Sequence, residues 1–120
     1  MHNYKNLEVW TKAMDIVHVI YQITKPFPEI EKYGIVSQMT RAAVSIPSNI
    51  AEGSGRNSDK DFVHFLGIAL GSTYEIDTQL TLCNRIGYIN QEQYNKIDTQ
   101  IHELQRMIIN LQNKINNKGK

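Results

Sequence analysis

The side chains able to do chemistry are few and badly spaced for it. Metal-binding helical bundles place Glu-x-x-His pairs on facing helices, and no such pair occurs in this chain. Asp61 and His64 have a comparable spacing, but no second pair matches them. His2, His18, His64 and His102 are scattered without ligand spacing, which fits surface or internally satisfied residues better than a metal centre. Cys83 stands alone, which excludes an intramolecular disulfide and a cysteine zinc cluster. It falls on an apolar helix face and reads as an inert small hydrophobe. Some helical ribonucleases carry a His five positions after an Arg; Arg41, Arg56, Arg85 and Arg106 all lack it. The segment G-S-G-R is too short for a phosphate-cradling loop. Without an acid, base and nucleophile in a shared pattern, a non-enzymatic protein with no metal or cofactor is expected.

What remains is polar chemistry on one helix. Between Arg41 and Arg56 the chain reads R-A-A-V-S-I-P-S-N-I-A-E-G-S-G-R. At about 100° per residue, Ile35, Met39, Ala42, Ala43, Ile46 and Ile50 share one face. Gln38, Arg41, Ser45, Ser48, Glu52 and Arg56 form a stripe beside it. That row is either a half-buried surface whose charges need partners or an ordinary solvated flank. Pro47 removes one backbone donor, yet apolar spacing continues through it, so a helix containing Pro47 at a kink is expected, with Ser45 and Ser48 available to freed backbone groups. Gly53 and Gly55 then end the helix.

The remaining elements follow from periodicity. Leu7, Trp10, Met14, Val17, Tyr21 and Thr24 mark the core face of a first helix over about 7–24, widened by Ala13 and Ile20. Val9, Ile16 and Ile23 form a second apolar stripe, which a second subunit or another segment of the chain must cover. Lys25-Pro26-Phe27-Pro28 stops this helix, and Phe27 should tuck onto the core. The second helix covers about 34–54. Ser58 caps a third over about 59–85, whose core face is Phe62, Phe65, Leu66, Ala69, Thr73, Ile76, Leu80 and Cys83. Its other face carries His64, Gly67, Gly71, Glu75, Thr78 and Leu82, and the glycine pair suggests a backbone approaching closely. Gly87 ends this helix, and Asn90 with Gln93 opens a fourth over about 91–115. Tyr94, Ile97, Ile101, Leu104, Ile108, Leu111 and Ile115 form its seam at spacings of three and four. Residues 116–120 should fray. The sum is one all-α domain over 1–120, an up-down-up-down four-helix bundle.

Bulk properties narrow the function. The 120 residues suit a single domain, and the formal net charge is only +1. Nucleic acid, if bound, must meet a local patch, and Arg56, Lys60, Arg106, Lys114, Lys118 and Lys120 are the candidate phosphate contacts. The apolar run F-L-G-I-A-L is too short to span a bilayer, and the N-terminus lacks the apolar core of a signal peptide. A cytoplasmic protein with no membrane role is expected.

L-E-V-W, F-P-E-I-E-K-Y-G-I, Q-M-T-R-A-A-V-S-I-P-S-N-I-A-E-G-S-G-R, F-V-H-F-L-G-I-A-L-G-S-T-Y-E-I-D-T-Q-L and R-I-G-Y-I together resemble one bacterial family. It comprises the four-helix-bundle proteins related to the 23S ribosomal RNA intervening-sequence protein, in a superfamily with the accessory variability determinant of diversity-generating retroelements. The resemblance spans Leu7 to about Ile89. It implies a cytoplasmic bundle that assembles into a ring-shaped homopentamer. RNA, or a nucleoprotein complex with a reverse transcriptase, is the partner that the retroelement relatives suggest. The near-neutral charge departs from a strongly basic RNA binder, so a protein-only oligomeric scaffold stands as the alternative. Arg41, Asn49, Glu52, Arg56 and Glu75 match the family pattern, either as a partner surface or as a structural network. Of these, Arg41, Glu52 and Glu75 are expected to pair with one another within or between subunits.

Overall fold

The computed structural model describes residues 3–118, so His2 and Lys120 lie outside the described residues. Helices α1 (Glu8–Thr24), α2 (Ile35–Ser54), α3 (Asp59–Arg85) and α4 (Gln91–Asn116) make up the molecule, with short 3-10 turns at Tyr4–Asn6 and Glu29–Glu31. Among the described residues there is no strand. Each helix packs against its sequence neighbour, and α1 closes the bundle against α4, while α1–α3 and α2–α4 are diagonal and their backbones do not approach closely. Side-chain contacts run antiparallel: Ser45 meets Ser72 and Met39 meets Cys83 across α2–α3, while Thr81 meets Tyr94 and Gln112 meets the Val63 carbonyl across α3–α4. The bundle is elongated, 50 × 24 × 20 Å.

Helix boundaries have local causes. Ser58 Oγ accepts from Asp61 N at 3.1 Å. Asn90 and Gln93 form a reciprocal capping box, with bonds of 2.8 and 2.9 Å. Gly87 has φ 87°, the left-handed geometry that lets Tyr88 N return to the Cys83 carbonyl and close α3. Phe27 is buried and its ring lies 5.0 Å from that of Tyr88. Tyr88 Oη donates to Glu31 at 2.7 Å, so the α1–α2 connection is tied to the α3–α4 connection.

Helix α2 runs unbroken through Pro47, which is buried. Asn49 Nδ2 donates to the Ser45 carbonyl at 2.8 Å and to Ser45 Oγ at 3.0 Å, next to the donor that Pro47 lacks. The carbonyl that lacks its usual donor is that of Ala43, four residues before Pro47, so the Asn49 bonds brace the turn beside it rather than fill it; Ser45 reaches across to Ser72, and Ser48 is exposed. Gly53 lies inside α2 and is buried, and Gly55, the C-cap, has φ −87°. The glycine character of the segment therefore serves packing at Gly53 rather than a left-handed turn.

In α1 the expected core face is rotated. Val9, Ala13, Ile16, Ile20 and Thr24 are buried, while Met14 and Tyr21 are 42% and 51% exposed. Trp10 and Val17 flank the core on one side and Ile23 on the other. A helix at the corner of a four-helix bundle touches two neighbours, so its buried arc is wide and its centre points at the bundle axis. The small and β-branched residues occupy that centre. The stripe of Val9, Ile16 and Ile23 is thus covered by the chain's own helices.

No helix is long and apolar enough to cross a membrane among the described residues.

Candidate functional site

Two surfaces and one side-chain cluster are candidates. The first surface is the outward face of α3. His64, Gly67, Ile68, Gly71, Tyr74, Glu75, Thr78 and Leu82 are all exposed on it. A Cβ at Gly71 would meet nothing within 4 Å, and one at Gly67 only Gln112 Nε2 at 3.6 Å. No backbone of the same chain approaches this pair closely. Ile68, Tyr74 and Leu82 surround it with exposed apolar surface. A separate groove at the α1–α2 seam is lined by Tyr21, Thr40, Arg41, Val44, Ser45 and Ser48, where Tyr21 and Val44 are again exposed.

The polar row of α2 meets α3 at one point. Ser45 Oγ and Ser72 Oγ lie 2.8 Å apart. Arg41 is one turn back from Ser45, and Glu75 one turn on from Ser72, so the antiparallel register sets them at the same level. Neither has an ion pair among the described residues. Glu52 pairs with Arg56 on its own helix, Oε1 to Nη2 at 2.7 Å, and the Arg56 guanidinium lies over the Phe65 ring at 4.8 Å. Both partners are about half exposed. Within one chain, then, Arg41, Glu52 and Glu75 are not mutually paired.

The candidate phosphate contacts gather only in part. Arg56 and Lys60 sit at the α2–α3 turn, and Lys114 and Lys118 at the end of α4, which comes to the same end of the bundle. Lys118 Nζ is 3.7 Å from Asp59 Oδ2, and Arg56 is held by Glu52. Lys114 lines a groove with Asn6, Leu7, Glu8 and Met107. Arg106 lies about two turns back along α4 from Lys114. Glu8, Glu52, Asp59 and Asp61 share this end, so it is mixed in charge.

The cluster lies at the α3–α4 seam, and the sequence reading did not find it. His102 Nε2 is 3.4 Å from Asp77 Oδ2, and His102 Nδ1 is 3.5 Å from Asp98 Oδ2. Burial, then a hydrogen bond with Asp77 and the charge of its carboxylate, push the Asp98 carboxyl above its ordinary value, and His102 opposes the shift. The signal available in sequence was the i,i+4 pair Asp98–His102; Asp77 joins it only through the α3–α4 register. His18 and His64 are exposed elsewhere, His64 against the Phe65 ring. Cys83 is buried, with Sγ 3.6 Å from Met39 Sδ, and burial pushes its thiol up, away from the reactive thiolate.

The 23S rRNA-intervening sequence protein family model matches residues 5–110. The chain is also similar to the crystal structure of a protein of unknown function from the S23 ribosomal protein family of Bacteroides thetaiotaomicron. The identity is 28%, the TM-score 0.78, and the match covers 87% of this chain and 97% of that one. No curated protein sequence matches the chain significantly. An all-α bundle of this topology, carrying the S-I-P-S-N-I-A-E-G helix and matched over nearly its whole length, belongs to the 23S rRNA-intervening sequence protein family.

Proposed function

We propose that the chain is a non-enzymatic accessory scaffold that works as a ring-shaped homo-oligomer, with the pentamer implied by the family resemblance as its form. The observation that carries this reading is the outward face of α3, where Gly71 opens onto unfilled space between Ile68, Tyr74 and Leu82. Exposed apolar surface beside bare helical backbone suits close approach by another helix. The exposed apolar residues at the α1–α2 seam lie on a different side of the bundle, since α1 and α3 are diagonal. Two unlike patches pair head to tail, and such contacts make a ring when the rotation between subunits closes. Unpaired Arg41 and Glu75 flank the seam between these surfaces and supply charges for an ion pair across subunits.

A second reading, binding of RNA or a nucleoprotein complex in the cytoplasm, is favoured by the gathering of Arg56, Lys60, Lys114 and Lys118 at one end. A ring would repeat that end in every subunit, although local acids offset much of its charge. Filter binding of RNA across a salt series separates the readings. Binding that weakens steeply with salt, and further in Lys60→Ala and Lys114→Ala, supports phosphate contact. Assembly without such binding supports the protein-only scaffold.

A further inference from the structure

We propose that Asp77, Asp98 and His102 form a binding site for a divalent first-row transition cation, Zn2+ being the best match, which staples α3 to α4. One donor atom from each of the three side chains lies within 4.8 Å of the others. Asp98 and His102 stand one turn apart on α4 and face Asp77 on α3. All three sit in helix interiors, where the backbone holds donors more precisely than a loop would. An imidazole with two carboxylates suits Zn2+, which binds both at about 2.0–2.2 Å and is satisfied by three protein ligands and an open position. Tetrahedral bonds of that length set neighbouring donors about 3.3–3.6 Å apart. The 3.4 Å from His102 Nε2 to Asp77 Oδ2 is already of that size; Asp98 Oδ2 lies 3.5 Å from the other ring nitrogen, Nδ1, so an ion held at Nε2 requires the Asp98 side chain to turn toward it.

A second observation points the same way. Asp77 Oδ1 and Asp98 Oδ1 are both buried, and with both carboxylates ionised neither has a hydrogen-bond partner among the described residues; only a proton held between the two acids would pair them. Their side chains are 26% and 23% exposed. A buried acceptor without a partner is costly, and two adjacent carboxylates repel one another. A dication balances the charge of both carboxylates. Asp77 also borders an open groove with Thr78, Thr81, Leu82 and Arg85, which gives an ion access from solvent and leaves a position for water.

The test uses the full chain, stripped with EDTA and titrated with ZnCl2 under calorimetry, thermal melting and histidine side-chain NMR. Saturable binding at one ion per chain, a rise in melting temperature and selective shifts of the His102 ring resonances are expected, with little effect from MgCl2. His102→Ala and Asp77→Asn should weaken binding by about 10-fold to 100-fold or more, a loss seen even for groups that only orient a ligand. His64→Ala, remote from the cluster, should bind as the parent does. If either cluster variant fails to fold, Asp98→Asn removes one carboxylate charge and replaces it for the same comparison. Absence of saturable Zn2+ binding, or binding undiminished in the cluster variants, would overturn the proposal and leave an ion-paired Asp–His–Asp cluster only.

Discussion

A Cβ built on Gly53 would lie 2.6 Å from Phe65 Cβ, with Phe62 Cδ1 at 3.1 Å and the Phe62 carbonyl at 3.3 Å. This contact sets how closely the end of α2 approaches the start of α3. Gly53→Ala gains about 1 kcal/mol of helix propensity but overpacks a rigid site, at a cost of about 1–3 kcal/mol. A net loss of up to about 2 kcal/mol is expected. Denaturant unfolding checks it, and a midpoint at or above that of the parent would show that Phe65 can move aside.

Glu52→Ala removes an exposed partner of Arg56, so its cost to the fold of one chain should stay within about 1 kcal/mol. Glu75→Ala removes a group with no ion pair among the described residues and should cost even less. Both substitutions should nevertheless weaken assembly, because Glu75 has no ion pair among the described residues and the exposed Glu52–Arg56 pair is open to a neighbouring subunit. Sedimentation velocity, with circular dichroism as the folding control, measures the two effects separately. Unchanged assembly in both variants would remove these residues from the interface.

Asp98→Asn should stabilise the metal-free protein at neutral pH. The groups facing Asp98 are Asp77 from α3 and His102 from its own helix. Its carboxyl is raised above the ordinary 3.8, so the folded chain holds that proton more tightly than the unfolded chain does. The contribution is fully present below the unfolded value and is lost as pH rises through the folded one. The melting temperature of the variant should therefore exceed that of the parent increasingly as pH rises from the ordinary carboxylate value through the raised folded one, in EDTA. A gap that stays constant or narrows over that range contradicts this account.

Much of the bundle was legible because its signals are local. Every residue of the α4 seam from Tyr94 to Ile115 packs in or against the core, since spacings of three and four leave one face to bury. Asn90 and Gly87 act through their own backbone neighbourhoods, so sequence alone locates them. In α1, two apolar stripes competed, and periodicity could not say that Ile16 rather than Met14 points at the bundle axis. Glycines were similarly ambiguous: Gly53 proved to be the close approach, while Gly67 and Gly71 face outward. The Asp77–Asp98–His102 cluster depends on the register between two helices, which no local pattern encodes.

Gly71→Ala separates the fold of one chain from its assembly. Nothing lies within 4 Å of the added methyl in the chain itself. Helix propensity alone then favours the variant by about 1 kcal/mol. Where a neighbouring helix uses that space, the methyl should lower the fraction assembled instead. Dilution series followed by mass photometry give the outcome, and equal assembly with higher stability would place the interface elsewhere.

The central claim, that the exposed α3 face and the α1–α2 seam meet across subunits, is tested most directly by multi-angle light scattering on the purified chain. Parent protein at micromolar concentration should elute as a single species at several multiples of 13.8 kDa, with the pentamer as the expected state. Gly71→Glu, which puts a charge into the open space, should shift it toward the single-chain mass while keeping its helical content. A parent that elutes at 13.8 kDa, or a Gly71→Glu variant that assembles as the parent does, would contradict the account.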